Sequence, residues 1–467
     1  MKKQWMGWMV LVLLLPAPLQ AQEWAGSWRG VLDVPGPTGL TLVVHLEAGD
    51  PYTATLDSPA QGAMGIPVQE VEIEGARITL RLPGIGAHYE GVRVGPDRIE
   101  GAWTQGGATF SLDLERTEEG SALPPRPQEP IPPFPYQVEE VVFPNEGAGI
   151  RLAGTLTHPT DGGPFAAAIL ITGSGPQDRD EALMGHRPFL VLADHLTRAG
   201  IAVLRVDDRG VAESEGDFAS ATSRDFATDV EAALDFLLDH PAIDPTRIGL
   251  IGHSEGGLIA PMVANARDEV AYIVLLAGPG LAGHELLGLQ GRAILEAGGV
   301  PPELVEISAR LQRELFDHAL ADGEDFDTIL GNFLAEMDAD ERALLGIPAG
   351  SEEAWKAAQA SAIRTPWMRE FLRHDPRDDL ERVQVPVLAL IGSLDLQVPP
   401  AENLAEIEAA LARAGNEEVT LMELPGLNHL FQTATTGHPS EYASIEETLA
   451  PEALDAISSW LIERFGG

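Results

Sequence analysis

The feature that most constrains the fold is an alternation of short apolar runs and amphipathic segments that begins near Val138. Strands buried on both faces that alternate with helices predict a parallel, doubly wound sheet. The expected strands are Ala166–Ile171, Ala202–Val206, Ile248–Ile251, Tyr272–Ala277, Val387–Ile391 and Val419–Leu424. The expected helices are Phe189–Ala199, Phe226–Leu238, a segment that starts at Leu258, and Pro451–Phe465.

Residues 281–380 interrupt this alternation with several amphipathic helical segments, and they hold 20 acidic and nine basic residues. Apolar helix faces must be buried against something. We expect the insertion to form a cap over the edge of the sheet where the strands' carboxyl ends meet. The alternative is a helical appendage packed on its own core. The faces in question carry Leu304, Ile307, Leu311 and Leu315.

Trp367 lies late in the insertion and is the candidate wall of a pocket beneath such a cap. A tryptophan that belongs to the core is the alternative interpretation.

The chain before Val138 has a different character. Residues 22–116 contain short alternating runs separated by turn signals such as Pro35-Gly36-Pro37, which predict a small antiparallel β domain, either a barrel or a sandwich. Residues 117–137 are rich in proline and are expected to form an extended linker. The region from 138 to 467 is then the domain with the parallel sheet.

The first 21 residues have the features of a signal peptide. Lys2 and Lys3 precede the apolar run Trp5–Leu15, and the segment ends in the small residue Ala21. The run is shorter than the roughly 20 residues that span a bilayer. We therefore expect export to the periplasm or the medium, and no later segment is predicted to span a membrane.

Composition excludes several classes of site. The chain has no cysteine, which excludes disulfides, a cysteine nucleophile and thiolate metal sites. Its formal net charge of −42 disfavours binding to nucleic acid. No His/Asp cluster or H-E-x-x-H motif argues for a metal, so neither a metal nor a cofactor is expected.

One pentapeptide carries a chemical signal, Gly252-x-Ser254-x-Gly256. With this glycine and serine content, roughly 0.2 such pentapeptides would arise by chance, so the motif alone is weak. Its context is stronger, because a predicted strand precedes it and a predicted helix follows. A serine on such a sharp strand-to-helix turn is held clear of the sheet, and glycines are needed where side chains would collide. Ser254 is therefore the candidate nucleophile.

A serine hydroxyl needs a base and a group that orients the base. In a sheet of this kind the acid and the histidine follow the serine in that order, each after a later strand. Asp395 comes just after the strand Val387–Ile391, and His429 comes just after Val419–Leu424. His253 adjoins the serine, but neighbouring side chains diverge at such a turn, so we expect a packing or turn-stabilising role for it.

Backbone N–H groups are expected to hold the oxyanion. One donor should be Glu255, directly after the nucleophile, and the other should be Ser174 in the loop after Ile171, with Gly175 as the alternative. Arg179 in the same loop is expected either to meet a substrate carboxylate or to form an ion pair with Asp178 or Asp180.

At these motifs the chain resembles the bacterial α/β-hydrolase family of exported serine esterases, which is similar to prolyl oligopeptidase-like and dienelactone hydrolase-like hydrolases. The matching stretches include TGSGPQDRD, IGLIGHSEGGLIAPMVA, LDLQVPPAENL and LPGLNHLFQ. ATLDSPAQGAMGIPV resembles the β domain that accompanies the family. The chain departs from the family in RGVAESEG, where Gly and Lys are usual at the places of Ala212 and Glu213.

The resemblance implies an α/β-hydrolase that cleaves small-molecule carboxylic esters, with Ser254, Asp395 and His429 as its triad. A serine peptidase of the prolyl oligopeptidase-like type shares that triad and stays open as an alternative. A binding module with an inactive hydrolase domain is the alternative from another class. The sequence leaves the acyl chain length, the alcohol and the oligomeric state open.

Overall fold

The computed structural model describes residues 24–32, 40–49, 51–58, 63–83, 86–105, 108–117, 126–345, 347, 350 and 352–466. The chain divides into two compact units near residue 121. The expected signal peptide, residues 1–21, lies outside the described residues, and so do residues 118–125 of the expected linker.

The first unit is a single antiparallel sheet whose path runs β4-β3-β2-β1-β10-β8-β7-β6-β5, with β9 paired to β8. The sheet is nearly closed, so the unit is closer to a barrel than to a sandwich of two sheets. Trp28 and Tyr89 are the largest side chains fully buried inside it. Its strands are β1 Gly26–Leu32, β2 Leu40–Glu47, β3 Thr53–Ser58, β4 Ala63–Val68, β5 Glu70–Glu74, β6 Arg77–Leu82, β7 Ala87–Gly95, β8 Arg98–Gln105, β9 Ala108–Ser111 and β10 Leu114–Thr117.

The second unit is built on a sheet of eight strands in the order β11-β12-β14-β13-β15-β16-β17-β18. The pairs β11–β12 and β12–β14 are antiparallel and the other pairs are parallel, which confirms the predicted mostly parallel sheet. The strands are β11 Tyr136–Asn145, β12 Ile150–Pro159, β13 Phe165–Ile171, β14 Ala202–Val206, β15 Ile243–His253, β16 Val270–Leu276, β17 Val387–Gly392 and β18 Val419–Leu424. The hairpin of β11 and β12 precedes the alternation of strands and helices and was not foreseen from it.

Helices cover both faces of this sheet, as a doubly wound fold requires. One apolar cluster joins the sheet to α2, α3 and α11, and a second joins the opposite face to α1 and α12. The helices are α1 Pro188–Arg198, α2 Ser223–Leu238, α3 Glu255–Ala266, α4 Gly283–Ala297, α5 Pro302–Leu320, α6 Phe326–Ala335, α7 Ala339–Leu344, α8 Glu352–Arg364, α9 Pro366–Arg373, α10 Arg377–Leu380, α11 Pro400–Ala414 and α12 Pro451–Phe465, with a short 3₁₀ helix at Pro439–Ser444. Within the described ranges, every helix falls short of the length and apolar character needed to cross a bilayer.

The insertion between β16 and β17 consists of helices α4 to α10, and it has an apolar core of its own. Leu304, Leu311 and Leu315 are buried in that core, and Ile307 packs against it. For these four residues the second alternative therefore holds, because their apolar faces pack within the insertion's own core. Trp367 is different, because it packs against the cluster shared by the sheet, α2 and α3.

The described part of the proline-rich stretch is held against the second unit by two polar side chains. The Arg126 guanidinium donates to the backbone carbonyls of Gly185 and Ala443, at 3.1 and 2.9 Å. Gln128 donates to the Leu449 carbonyl and accepts from the Thr448 N–H, both at 2.6 Å. Residues from Arg126 onward are thus part of this unit's packing.

If the insertion has an independent core, removing a fully buried side chain there should destabilise the protein. Leu330 on α6 is 0% exposed, and Leu330→Ala should lower the free energy of unfolding by about 2–5 kcal/mol, because it leaves a cavity. The matched control is Leu344→Ala on α7, where the side chain is 49% exposed and the expected change is within about 0.5 kcal/mol. Urea unfolding of the three proteins measures both values, and equal losses in the two variants would contradict a packed core around Leu330.

Candidate active site

The turn at Ser254 is the most constrained point of the second unit. Strand β15 ends at His253 and helix α3 begins at Glu255, so Ser254 alone makes the turn, with φ 52° and ψ −116°. A non-glycine residue with positive φ is uncommon and costs on the order of 1–3 kcal/mol. The Ser254 N–H donates to the Leu276 carbonyl at 2.8 Å, and the Ser254 carbonyl accepts from the Gly257 N–H at 2.9 Å. These two bonds fix the backbone on both sides of the strained residue.

The flanking glycines are required by close backbone contacts. A Cβ at Gly252 would lie 2.0 Å from the Gly256 carbonyl oxygen, and one at Gly256 would lie 2.2 Å from the Ile171 carbonyl oxygen. No side chain fits at either distance. The start of α3 is thus pressed against the carboxyl ends of β15 and β13, which explains why the sequence has glycine at both positions.

Asp395 and His429 come together as predicted from their order in the chain. His429 Nδ1 lies 2.8 Å from Asp395 Oδ2, and both side chains are almost fully buried. The other carboxylate oxygen of Asp395 accepts from the backbone N–H groups of Gln397 and Val398, each at 2.8 Å. Because Nδ1 donates to the carboxylate, Nε2 is left with its lone pair, which is the tautomer that a general base needs.

The third expected contact is not formed. In the described part of the chain the hydrogen bonds of Ser254 are those of its backbone, and its hydroxyl has none to His429 or to any other group. Such bonds are often long in enzymes without substrate and tighten when substrate binds. The structure therefore brings Asp395 and His429 together and places Ser254 on the neighbouring turn.

His253 is not placed to act as the base for Ser254. Its Nδ1 lies 2.9 Å from Glu181 Oε1, and its Nε2 lies 3.0 Å from the backbone carbonyl oxygen of His429. Both ring nitrogens are therefore engaged away from the Ser254 hydroxyl. Glu181 was missed from the sequence; the one signal available was that it follows β13 in the same loop as Ser174.

The two expected oxyanion donors belong to two segments close to Ser254. Glu255 is the first residue of α3, so its N–H has no partner within the helix. Gly173 precedes Ser174, and a Cβ at Gly173 would lie only 3.3 Å from the Ser254 Cβ. The Gly173 N–H itself is taken by Glu181 Oε1 at 2.8 Å. The next N–H along that loop is that of Ser174. It has no acceptor among the described residues, so it remains available to bind an oxyanion.

Trp367 reaches this site through the side chain of Glu255. The buried Glu255 Oε1 accepts from Trp367 Nε1 at 2.8 Å and from the Ser223 hydroxyl at 2.6 Å. Burial raises the pKa of this carboxyl, and the two hydrogen bonds oppose that rise. The Trp367 ring also stacks on Phe371, with ring centroids 5.0 Å apart. Trp367 therefore links α9 of the insertion to the residue that follows the nucleophile candidate.

A small cavity of about 40 Å³ lies beside the same loop, lined in part by Thr172, Gly173, Asp208 and Glu255. Burial raises the pKa of Asp208 to about 7, although its carboxylate accepts from the Thr172 hydroxyl at 2.7 Å and from the Gln177 N–H at 2.9 Å. The cavity thus has an apolar floor from the sheet and one carboxyl group, that of Asp208, whose pKa lies near neutral.

Arg179 forms ion pairs, but not with the residues expected. Its guanidinium contacts the carboxylates of Asp207, Glu140 and Glu213, at 2.6, 2.5 and 2.7 Å. The expectation of Asp178 or Asp180 was wrong, because Arg179 points back toward the end of β14 and Asp180 pairs with Arg205 instead. Because three carboxylates surround its guanidinium, Arg179 has a structural role.

These contacts account for one of the two departures in RGVAESEG, Glu213, whereas the alanine at position 212 has no structural explanation. Ala212 adopts a positive φ of 45°, a conformation that glycine takes more readily. Glu213 supplies one of the three carboxylates around Arg179. A lysine at that position would place a second cation beside the guanidinium.

No metal centre is found among the described residues, since no group of three or more His, Asp or Glu side chains is placed to hold an ion.

The chain is similar to several known proteins. The chain is 24% identical over 315 residues to the protein named Esterase EstD of Thermotoga maritima, an alignment that covers 67% of this chain and 66% of that one. The alignment thus covers just under two thirds of the relative. The esterase Pf2001 of Pyrococcus furiosus covers 75% of this chain and 100% of its own, with 17% identity and a TM-score of 0.42. Est1E of Butyrivibrio proteoclasticus, solved with ferulic acid bound, covers 69% and 96%, with 17% identity and a TM-score of 0.36.

A family profile covers more than half of the chain. The profile of the family Hydrolase_4, described as serine aminopeptidase, S33, matches residues 187–433, which hold Ser254, Asp395 and His429. The chain belongs to this family of α/β-hydrolases.

Proposed function

We propose that this protein is a serine hydrolase that cleaves carboxylic esters through an acyl-enzyme intermediate. The observation that carries the proposal is the strained turn at Ser254, with a free hydroxyl, beside a buried Asp395–His429 pair bonded at 2.8 Å. Backbone strain of this kind is retained where function requires it. The alignment with Esterase EstD supports an ester as the substrate class.

In the proposed reaction each group has its own role. Ser254 attacks the ester carbonyl carbon while His429 Nε2 takes its proton, and Asp395 holds the imidazole in the working tautomer and stabilises the imidazolium that forms. The N–H groups of Glu255 and Ser174 bind the oxyanion. His429 then protonates the departing alcohol, and a water activated by the same histidine releases the acid. The proposed reaction needs neither a metal nor a cofactor.

Amide hydrolysis is the second candidate, because the family carries the description serine aminopeptidase. The same triad cleaves both bonds, so the arrangement around Ser254 does not distinguish them. Amide cleavage differs in needing protonation of a poor leaving amine by His429. An inactive domain that only binds its ligand is the remaining alternative, and a reactive Ser254 would exclude it.

Trp367 is proposed to form one wall of the acyl site. Its indole N–H donates to the side chain of Glu255, the residue directly after Ser254, so Trp367 connects the insertion to the nucleophile turn. The insertion holds a net charge of −11 from its 20 acidic and nine basic residues, so anionic acyl groups should be poor substrates.

Ser254→Ala should abolish ester hydrolysis without unfolding the protein. Removing one member of such a unit costs several orders of magnitude in kcat, because the remaining groups cannot form the acyl-enzyme. Turnover of p-nitrophenyl butyrate and labelling by a fluorophosphonate probe measure the loss. The control is Ser220→Ala, an exposed serine in the loop before α2, which should keep both signals. Near wild-type turnover in folded Ser254→Ala would refute the assignment.

Esters should be better substrates than amides. On one purified sample, p-nitrophenyl esters should show kcat/KM at least about a hundredfold above that of aminoacyl p-nitroanilides, since amides have the poorer leaving group. Both activities must vanish in Ser254→Ala if they belong to this site. Higher kcat/KM for the aminoacyl amides would make the protein a peptidase.

Trp367→Ala should change the preference for acyl chain length. Removing the indole enlarges the acyl site, so kcat/KM for an octanoyl ester should rise about tenfold relative to that for an acetyl ester. The matched control is Trp355→Ala, because Trp355 packs on Phe333 within the insertion's own core. An unchanged ranking of esters in folded Trp367→Ala, or the same change in Trp355→Ala, would show that Trp367 is not a pocket wall.

A further inference from the structure

Three loops meet behind Ser254 at a buried pair of side chains that the proposed mechanism does not use, Glu181 and His253. Glu181 lies in the loop after β13, is 2% exposed, and adopts a positive φ of 51°. Its Oε1 accepts from the Gly173 N–H at 2.8 Å and faces His253 Nδ1 at 2.9 Å. His253 ends β15, and its Nε2 faces the His429 carbonyl oxygen at 3.0 Å. One carboxylate and one imidazole therefore join the Gly173 loop, the nucleophile turn and the His429 loop.

Both partners of the His253 ring are acceptors. A carboxylate oxygen and a backbone carbonyl oxygen have no proton to give, and a neutral imidazole has only one N–H. A neutral ring would leave a nitrogen lone pair pointed at an oxygen, in a side chain that is buried. Beside a carboxylate at Glu181, the imidazolium, with a proton on each nitrogen, is the form of His253 that satisfies both contacts.

The charged groups around the ring favour that form. Burial is the largest influence and lowers the pKa of His253, but the Glu181 carboxylate, the His429 carbonyl and Asp395 together outweigh it, and the net result is a raised pKa. Asp395, from the loop after β17, acts in the same direction. Two further titratable groups lie near the pair: the His429 ring, whose centroid is 4.9 Å from that of His253, and Asp208, whose carboxyl interacts electrostatically with Glu181. Apolar side chains lie beside the pair as well, among them Phe189, Leu276, Leu430 and Phe431.

We infer that His253 is a positioning residue that is charged near neutral pH, is paired with Glu181, and fixes the His429 backbone and the Ser174 N–H relative to Ser254. The consequences of this inference for catalysis rest on the proposed function. The protonation state of His253 does not depend on that function. Glu181 holds the Gly173 peptide and so orients the next N–H along the loop. His253 holds the carbonyl of His429 and so fixes the position from which the imidazole works.

The pair also has an electrostatic consequence. During catalysis His429 becomes an imidazolium, and a lone cation 4.9 Å from it would oppose that step. The carboxylate of Glu181 neutralises His253, so the positioning charge does not act against the base. The two residues should therefore be needed together.

Neutron diffraction on the deuterated wild-type protein near pH 7 tests the protonation state directly. We expect deuterons on both Nδ1 and Nε2 of His253. His186 is the matched control in the same crystal, since it is also buried and hydrogen-bonded, and burial lowers its pKa to about 4. It should carry one deuteron. A single deuteron on His253 would overturn the inference whatever the protein's activity.

Kinetics test the positioning role. Glu181→Gln keeps the shape of the side chain but removes the charge, so the pKa of His253 should fall. The charged form is present below that pKa and is lost as pH rises through it. The alkaline limb of the kcat profile should therefore move to lower pH in Glu181→Gln, and a merely structural role would not move it.

His253→Gln should lower kcat up to about a hundredfold with little change in KM, because the base and the oxyanion donor are misplaced after substrate has bound. His186→Gln is the control for loss of a buried histidine and should leave the pH profile in place. Wild-type kcat and an unshifted alkaline limb in folded Glu181→Gln and His253→Gln would contradict the positioning role. Absence of esterase activity in the wild-type protein would instead refute the proposed function and leave the neutron result standing.

Discussion

The architecture of the second unit depends on the steric closeness of backbone segments at the Ser254 turn. Gly252 and Gly256 touch each other's backbone across the turn, and Gly256 also touches the end of β13 at Ile171. Gly257 also lies close to Gly278 after β16, where an added Cβ would lie 2.6 Å from the Gly278 Cα. Helix α3 can lie this low on the sheet only because these residues have no side chains. The strain at Ser254 is a local cost that the surrounding buried strands offset.

The same closeness brings the functional loops together. The ends of β13, β15 and β16 lie around the start of α3, and β17 and β18 continue the sheet toward the loops that carry Asp395 and His429. The insertion leaves from the end of β16 and returns at β17, with most of its apolar side chains buried in a core of its own. It touches the site through Trp367 and Glu255. The strongly acidic insertion is thus a separately packed body, and its effect on the substrate is expected to come from a few residues.

The sequence predicted the parts of this structure that are set by local pattern and strand order. The parallel sheet, the turn at Ser254 and the meeting of Asp395 with His429 follow from apolar periodicity, from two glycines, and from the rule that carboxyl ends of parallel strands share an edge. The sequence did not predict the contacts that long side chains make. The three carboxylate partners of Arg179 lie 28, 39 and 34 residues away along the chain, and none is a sequence neighbour. Glu181 reaches His253 across 72 residues with no periodic signal. Amphipathic spacing predicted that Leu311 is buried, but it did not predict whether Leu311 packs in the insertion's core or against the sheet.

The central claim is that Ser254 attacks the substrate from this strained turn, with the charge received by N–H groups of Ser174 and Glu255. A crystal structure of the protein after reaction with a monoalkyl fluorophosphonate tests it most directly. The account predicts a covalent bond from Ser254 Oγ to phosphorus, one phosphonyl oxygen about 2.7–3.1 Å from both N–H groups, and His429 Nε2 within hydrogen-bond distance of Ser254 Oγ. An adduct on another residue, or an adduct on Ser254 whose oxygen points away from Ser174 and Glu255, would contradict it.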